Sequence, residues 1–154
     1  MACQELDKAT FPVEAVAEEI GANVAPFRAN VLTERELSKR FRIPWTPTFV
    51  FLDGEGLEHH RFIGYLPPDE FSAQIHLAGA RAAFNRGAWE DAARRYAEIA
   101  EKFPETDAAP ESVYWIGVCD FKRTKNVERI YEQCRETAKR YPNHIWGKKL
   151  NFLK

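Results

Sequence analysis

The fold is decided by residues 43–56, which read Ile43-Pro44-Trp45-Thr46-Pro47-Thr48-Phe49-Val50-Phe51-Leu52-Asp53-Gly54-Glu55-Gly56. The run from Thr48 to Leu52 is short, apolar and rich in β-branched and aromatic residues, which predicts a strand buried on both faces. The Asp-Gly and Glu-Gly pairs that follow predict a tight turn. A second strand is then expected from Leu57 to Tyr65.

Pro47 stands directly before the first of these strands. Proline has no backbone N–H, and it disfavours the helical conformation at Thr46. We predict a cis bond between Thr46 and Pro47, because the chain must turn sharply into a central strand here. A trans proline that opens an edge hairpin is the alternative.

The size and composition of the chain describe a water-soluble globular protein. Its 154 residues, 45% of them hydrophobic and 29% charged, suffice for one ordinary domain or two small ones. The net charge of −1 gives no electrostatic reason to expect nucleic acid or a membrane surface as a partner. No apolar run approaches the roughly 20 residues that span a bilayer.

The three cysteines, Cys3, Cys119 and Cys134, lie far apart in the sequence. A sparse, odd number of cysteines favours a reducing compartment, and we therefore expect a cytoplasmic protein. The spacing of these cysteines matches no metal site, and neither a metal nor a cofactor is expected.

The rest of the first half alternates between predicted helices and strands. Residues 3–9 predict one or two helical turns, and a helix with Pro12 at its first position is expected to end at Gly21. A strand follows from Val24 to Val31, weakened by its proline. Thr33 to Glu36 matches a capping box that opens a helix through about Phe41. After the two strands, another helix is predicted from Pro68 toward Asn85.

Taken together, these pieces resemble the thioredoxin fold, and in particular bacterial thioredoxin-family proteins. The resemblance covers about the first 80 residues. It rests on Cys3-Gln4-Glu5-Leu6-Asp7, Thr10-Phe11-Pro12, Val16, Phe41, Trp45-Thr46-Pro47-Thr48, Leu52-Asp53, Gly56, Glu58, His60-Arg61, Gly64-Tyr65-Leu66-Pro67 and Phe71.

The resemblance implies specific roles for a few residues. Cys3 matches the second, resolving cysteine of the family's C-x-x-C motif, although Glu5 and Asp7 oppose the formation of its thiolate. Trp45, Thr46 and Pro47 match the substrate-binding segment, which is expected to face Cys3. The nucleophilic cysteine and the central strand that carries it would fall before Met1, so we expect either a truncated chain or a short form that takes this strand from another chain.

The second half is predicted to be helical, with an internal repeat. The segments around Phe84–Glu90 and Lys102–Thr106 are echoed 37 or 38 residues later, near the tetratricopeptide period of about 34. The first unit resembles tetratricopeptide hairpins through Ala80, Phe84, Gly87, Trp89 and Ala92. A terminal helix is expected from Ile145 to Leu153. The expected fold is therefore a thioredoxin-like α/β domain at residues 1–79, followed by tetratricopeptide-like helices at residues 80–154.

Several other residues that carry reactive or aromatic groups are expected to be structural. We predict that Cys119 and Cys134 fill the core. His59 and His60 are predicted to be a solvated pair on opposite faces of a strand, which cannot present both rings to one metal. Core packing is a better explanation than a peptide groove for the aromatic residues Tyr114, Trp115, Tyr131, Tyr141 and Trp146.

Two classes of function remain open. The first, implied by the resemblance, is a thiol–disulfide oxidoreductase that acts on protein thiols and disulfides, with Cys3 as resolving thiol. The second is a non-catalytic scaffold that binds a protein partner through its helical repeats. Because the nucleophilic cysteine is missing from the 154 residues, we predict little or no disulfide reductase activity for this chain.

Overall fold

The computed structural model describes residues 1–152 and divides the chain into two compact units. The first unit is Met1–Ile75, and the second begins at His76. The first unit begins with three helices, α1 (Ala2–Glu5), α2 (Glu14–Asn23) and α3 (Arg35–Arg40). Helix α1 continues into a π-helical turn at Leu6–Thr10. Strands β1 (Thr48–Leu52) and β2 (Glu58–Ile63) follow, and then helix α4 (Pro68–Asn85), within which the boundary falls.

Strands β1 and β2 form an antiparallel hairpin in which Phe49 lies opposite Phe62 and Val50 opposite Arg61. Asp53 builds the turn, because its Oδ1 accepts hydrogen bonds from the N–H groups of Glu55 (3.0 Å) and Leu57 (2.9 Å). The position of β1 agrees with the prediction, but its burial does not. No residue of β1 is fully buried, since β2 is its only paired neighbour among the described residues.

The core of the first unit lies between the hairpin and the surrounding helices. Leu6, Val16, Phe71 and Ile75 are buried at its centre. The aromatic rings of β1 and β2 pack against them, with the Phe49 ring stacked on Phe62 at 4.6 Å and meeting the edge of Phe71 at 5.0 Å. The Thr10 hydroxyl donates a 2.8 Å hydrogen bond to the Leu66 carbonyl, which fixes the π-helical turn to the segment before α4.

The strand predicted from Val24 to Val31 does not form. Val24 has extended dihedral angles, but the segment after it is largely exposed and pairs with neither β1 nor β2. An extended segment becomes a strand only when a neighbour satisfies its N–H and C=O groups, and Pro26 removes one of these donors.

Two predicted helix ends are also wrong. Helix α2 continues through Gly21 to Asn23, so this glycine is not a cap. The Thr33 hydroxyl donates to the Asn30 carbonyl (3.3 Å) and is therefore not the predicted N-cap of α3, whose cap position is Glu34.

The second unit is helical, as the sequence predicts. It contains the end of α4 together with α5 (Trp89–Lys102), α6 (Ala108–Thr124), α7 (Glu128–Arg140) and α8 (Ile145–Leu150). Helix α5 packs on α6, α6 on α7, and α7 on α8. The predicted end of the last helix, Leu153, lies outside the described residues. The tetratricopeptide-like character of these helices and the domain limits 1–79 and 80–154 stay predictions.

The helices of this unit approach one another closely at two glycines. A Cβ at Gly117 would lie 2.7 Å from the Cβ of Gln133, and a Cβ at Gly147 would lie 1.9 Å from the Tyr141 carbonyl oxygen. Tyr96, Ile99 and Cys119 are almost completely buried. Within residues 1–152, no helix has both the length and the apolar character that crossing a bilayer requires.

Candidate functional site

Cys3 lies in α1, in the first turn of a helical segment that continues to Thr10. Its side chain is partly exposed and forms no disulfide. Cys3 is therefore a free thiol that solvent can reach.

Arg28 adds a positive charge to this region. Its Nη1 and Nη2 donate hydrogen bonds of 3.2 and 3.3 Å to the two carboxylate oxygens of Asp7. The hydrogen bond with Asp7 is the main reason that the pKa of Arg28 is raised, and the nearby Cys3 contributes to the same shift. The negative charge of Asp7, in the helical segment that contains Cys3, is thus offset by a guanidinium group.

Sequence reasoning missed Arg28 because it lies 21 residues from Asp7, in the segment after α2 that forms no strand. No motif marks it. Both side chains of the pair are well exposed, so the pair contributes little to stability. Its relevance is its position beside a thiol.

The predicted substrate-binding residues Trp45, Thr46 and Pro47 form the bend that leads into β1. The Thr46–Pro47 peptide bond is cis. The Pro47 carbonyl accepts a 2.8 Å hydrogen bond from the N–H of Gly64, and the Trp45 carbonyl accepts one of 2.6 Å from the Thr48 hydroxyl. The side chain of Trp45 is 74% exposed.

Between these two bonded residues, Thr46 is exposed and has no main-chain hydrogen bond to another described residue. Its N–H and C=O groups are therefore available to an added chain. An extended segment could pair with them as it would with the edge of a sheet.

Cys3 and Pro47 are each a short distance along the chain from the same core. Leu6, one helical turn after Cys3, belongs to the buried cluster against which Phe49, two residues after Pro47, packs. The predicted contact between Cys3 and the Thr46–Pro47 segment stays a prediction.

The other two cysteines are buried, as predicted. Cys119 in α6 is 1% exposed and Cys134 in α7 is 2% exposed. Burial raises the pKa of the Cys119 thiol to about 12 and raises the pKa of the Cys134 thiol as well. Both thiols are therefore protonated at neutral pH and unreactive.

The two adjacent histidines are on opposite faces of β2, but the prediction that they are solvated is wrong. His59 Nε2 lies 2.9 Å from Asp53 Oδ2, and His60 Nε2 lies 2.6 Å from Gln74 Oε1. Both residues are buried, and the polar partner of each ring offsets the cost of removing it from water. Among the described residues, no group of three or more His, Cys, Asp and Glu side chains is arranged to hold a metal ion.

Comparison with known proteins adds an independent finding. A family model described as a thioredoxin-like domain matches residues 1–79. A thiol:disulfide interchange protein, DsbD of Escherichia coli O6:H1, is 32% identical over 80 residues, which are 49% of this chain and 14% of that protein. No solved structure matches the chain. Since the family model spans more than half of the 154 residues, the chain belongs to the thioredoxin-like family.

Proposed function

We propose that this chain takes part in thiol–disulfide exchange with protein substrates, and that Cys3 is its reacting thiol. One observation carries the proposal. Of the three cysteines, only Cys3 is partly exposed, and it is the one inside the thioredoxin-like segment. The buried thiols of Cys119 and Cys134 are poor substitutes, because exchange requires a thiolate that can reach the disulfide.

In the proposed step, the Cys3 thiolate attacks one sulfur of a mixed disulfide that another thiol has formed with the substrate. A new S–S bond forms between Cys3 and that other thiol. The substrate sulfur leaves as a thiolate, so the substrate is reduced and the thiol pair is oxidised. This is the resolving role that the family resemblance implies for Cys3.

The remaining residues of the site would bind the substrate and support the thiolate. The free N–H and C=O groups of Thr46 would pair with the extended substrate segment that contains the disulfide. The exposed ring of Trp45 would provide apolar contact beside it. Arg28 would offset the charge of Asp7 near the thiolate.

Reduction of insulin disulfides by dithiothreitol tests the proposal. The 154-residue chain is expected to leave the rate near the uncatalysed background, because one thiol cannot both attack a substrate disulfide and release the resulting mixed disulfide. A variant with one cysteine added directly before Met1 has a Cys-x-x-Cys spacing with Cys3 and is expected to accelerate the reaction. The same variant with Cys3→Ser is expected to lose turnover, and to accumulate mixed disulfides with insulin when the two are incubated without dithiothreitol.

A matched control carries a serine in place of the added cysteine. Rapid turnover by the unmodified chain would overturn the resolving role of Cys3. Equal, background rates for all four proteins, with no mixed disulfide trapped, would overturn the proposed exchange itself.

Non-catalytic protein binding is the second candidate function. The observation in its favour is the exposure of large apolar side chains in the first unit, with Phe27 80% and Trp45 74% exposed. This candidate gains support if all four proteins stay at the background rate and no mixed disulfide is trapped. The tetratricopeptide-like helices would then be the second surface to test for a partner.

A further inference from the structure

A basic cavity lies between the end of α3 and strand β2. Its lining residues are Arg40, Phe41, Arg42, Glu58 and Arg61, and its volume is about 410 Å³. Three arginines and one glutamate therefore line the same space. Cavities of roughly 300–1,000 Å³ are typical of small-molecule sites, and this one is charged instead of apolar.

The single carboxylate in the cavity is already engaged. Glu58 accepts two hydrogen bonds from Arg61, which also donates to the Phe41 carbonyl at 3.0 Å. The hydrogen bond from Arg61 lowers the pKa of Glu58, so the pair is a fixed, mutually neutralised unit at neutral pH.

Arg40 and Arg42 have no such partner. Neither side chain forms an ion pair within residues 1–152, and the guanidinium of Arg40 lies 5.2 Å from the centre of the Phe41 ring. Two arginines without a carboxylate, next to a neutralised pair, give the cavity a net positive charge. An arginine pair of this kind matches an anion with several oxygens.

The backbone at Arg42 is unusual for an arginine. Its φ is +50°, in the left-handed region that favours glycine. The N–H of Arg42 bonds to the Lys39 carbonyl and that of Ile43 to the Ser38 carbonyl, which is the hydrogen-bond pattern in which a helix ends on a glycine. The chain uses glycine in the left-handed region after α4, at Gly87 (φ +77°). Arginine at this position after α3 therefore makes the local backbone less stable than glycine, the usual residue, would.

The same arginine borders a second cavity of about 320 Å³, whose lining residues are Val31, Arg35, Ser38, Lys39, Arg42 and Ile43. Arg35 has no carboxylate partner in the described part of the chain, whereas Lys39 is paired with Glu36. The positive surface thus extends along α3, although the net charge of the chain is −1.

We propose that the cavity lined by Arg40, Arg42 and Arg61 binds a small molecule through a phosphate or pyrophosphate group. The anion accepts hydrogen bonds from the guanidinium groups of Arg40 and Arg42, and the Arg61–Glu58 pair forms the wall. A phosphate fits these two arginines better than a single carboxylate does, because it presents more oxygens and a second negative charge.

The proposed site does not use the groups assigned to thiol exchange. Arg40 Nη2 lies 3.3 Å from where a Cβ of Gly56 would be, at the turn that follows β1. Pro47 precedes β1, at its other end. Arg61 lies between these two places, since it pairs with Val50 in the middle of β1. Anion binding requires no thiol and is measured directly, so a failure of the insulin assay and a failure of this proposal are distinguishable.

Calorimetric titration of the full chain with inorganic pyrophosphate, at constant ionic strength, tests the proposal. Saturable binding is expected, and it is expected to weaken as sodium chloride is raised. Arg42→Gly should weaken the affinity at least tenfold while leaving the melting temperature unchanged or higher, because glycine is relaxed at this φ. If Arg42 had only a structural role, its substitution would not weaken pyrophosphate binding while leaving the melting temperature unchanged or higher.

The matched control is Lys125→Gly. Lys125 is the other non-glycine residue with a positive φ in the described chain (+61°), and it ends α6 in the second unit. This change also removes one positive charge and places glycine in the left-handed region, but it is expected to leave pyrophosphate affinity unchanged. The proposal is wrong if pyrophosphate does not bind at millimolar concentration, if the two glycine variants weaken it equally, or if citrate or an acidic peptide binds more tightly.

Discussion

The two units of this chain differ in how completely they bury their apolar side chains. In the first unit, Phe27, Leu32, Trp45 and Leu57 are between 60% and 80% exposed. In the second, Phe152 is similarly exposed (77%), but helices α5 and α6 bury Tyr96, Ile99 and Cys119. Two of its glycines, Gly117 in α6 and Gly147 in α8, leave no room for a Cβ. Exposed apolar surface of this extent in a folded unit is typical of regions that contact other molecules, and tight helical packing is typical of a scaffold.

The cysteines follow the same division. The first unit holds one thiol, partly exposed at a helix start, and the second holds two that are buried. Burial therefore distinguishes the one thiol that solvent can reach from two thiols of the same residue type that fill the core. The following predictions test this contrast in order of decreasing effect.

The largest expected effect is on thiol reactivity. In the native chain at pH 8, a disulfide reagent such as 5,5′-dithiobis(2-nitrobenzoic acid) should react quickly with one thiol, that of Cys3. Raising a thiol pKa from 9.0 to about 12 lowers the thiolate fraction of Cys119 about a thousandfold, before its inaccessibility is counted. The absorbance of the released thiolate measures each rate.

Cys3→Ser should remove the fast phase and nothing else, and all three thiols of the original chain should react quickly in urea. Fast labelling of Cys119 or Cys134 in the native chain, located by mass spectrometry, would contradict the contrast between the units.

The elements that the sequence predicts well are those whose signals are local. The run Thr48–Leu52 between a proline and an Asp-Gly turn fixes β1, and the periodic alanines and aromatics fix α4 to α7. The spacing of apolar residues, the turn residues and the helix-ending residues are all signals that extend over a few neighbouring positions. They can therefore be recognised in a single sequence.

The errors concern features that depend on distant neighbours. The segment Val24–Val31 is predicted as a strand but pairs with neither β1 nor β2. The buried rings of His59 and His60 have polar partners, Asp53 and Gln74, that the pattern of β2 does not reveal. The same limit applies to the sites. Cys3 can be found from the resemblance, whereas Arg28 and the clustering of Arg40, Arg42 and Arg61 follow only from the fold.

A pair of glycine substitutions measures the difference in packing between the units. Gly147→Ala should destabilise the protein by about 3 kcal/mol or more, because the added Cβ would lie 1.9 Å from the Tyr141 carbonyl oxygen and the backbone would have to move. Gly21→Ala makes the same chemical change inside α2, where nothing lies within 4 Å of the added atom. It should stabilise the protein by roughly 0.5–1 kcal/mol, since alanine is the better helix former.

Urea unfolding followed by circular dichroism gives both free energies. The comparison between the units fails if the two alanines have similar effects, or if Gly147→Ala is tolerated without loss.

The smallest of the three effects is a dependence of stability on alkaline pH that originates in the second unit. Burial raises the pKa values of Cys119, Cys134 and Tyr96 above their values in an unfolded chain. Above pH 9 the unfolded chain therefore loses protons that the folded chain keeps, so the free energy of unfolding falls as pH rises toward 12. In the first unit the sign is opposite, since hydrogen bonds lower the pKa values of Asp53 and Glu58, whose contributions are lost only as pH falls through the acid range.

For Cys119 alone, the expected loss between pH 8 and pH 10 is about 1 kcal/mol. Urea unfolding at these two pH values, with a reductant present, measures the total change. The matched variant is Cys119→Ala, which keeps a small apolar side chain but has no proton to release. Its stability at pH 8 is expected to be somewhat lower, because a sulfur atom is lost from the core, but its decline toward pH 10 should be shallower by about the same 1 kcal/mol. An identical decline in both proteins would show that Cys119 is not held in the neutral form by burial, and the contrast between buried and reachable thiols would then lose its electrostatic basis.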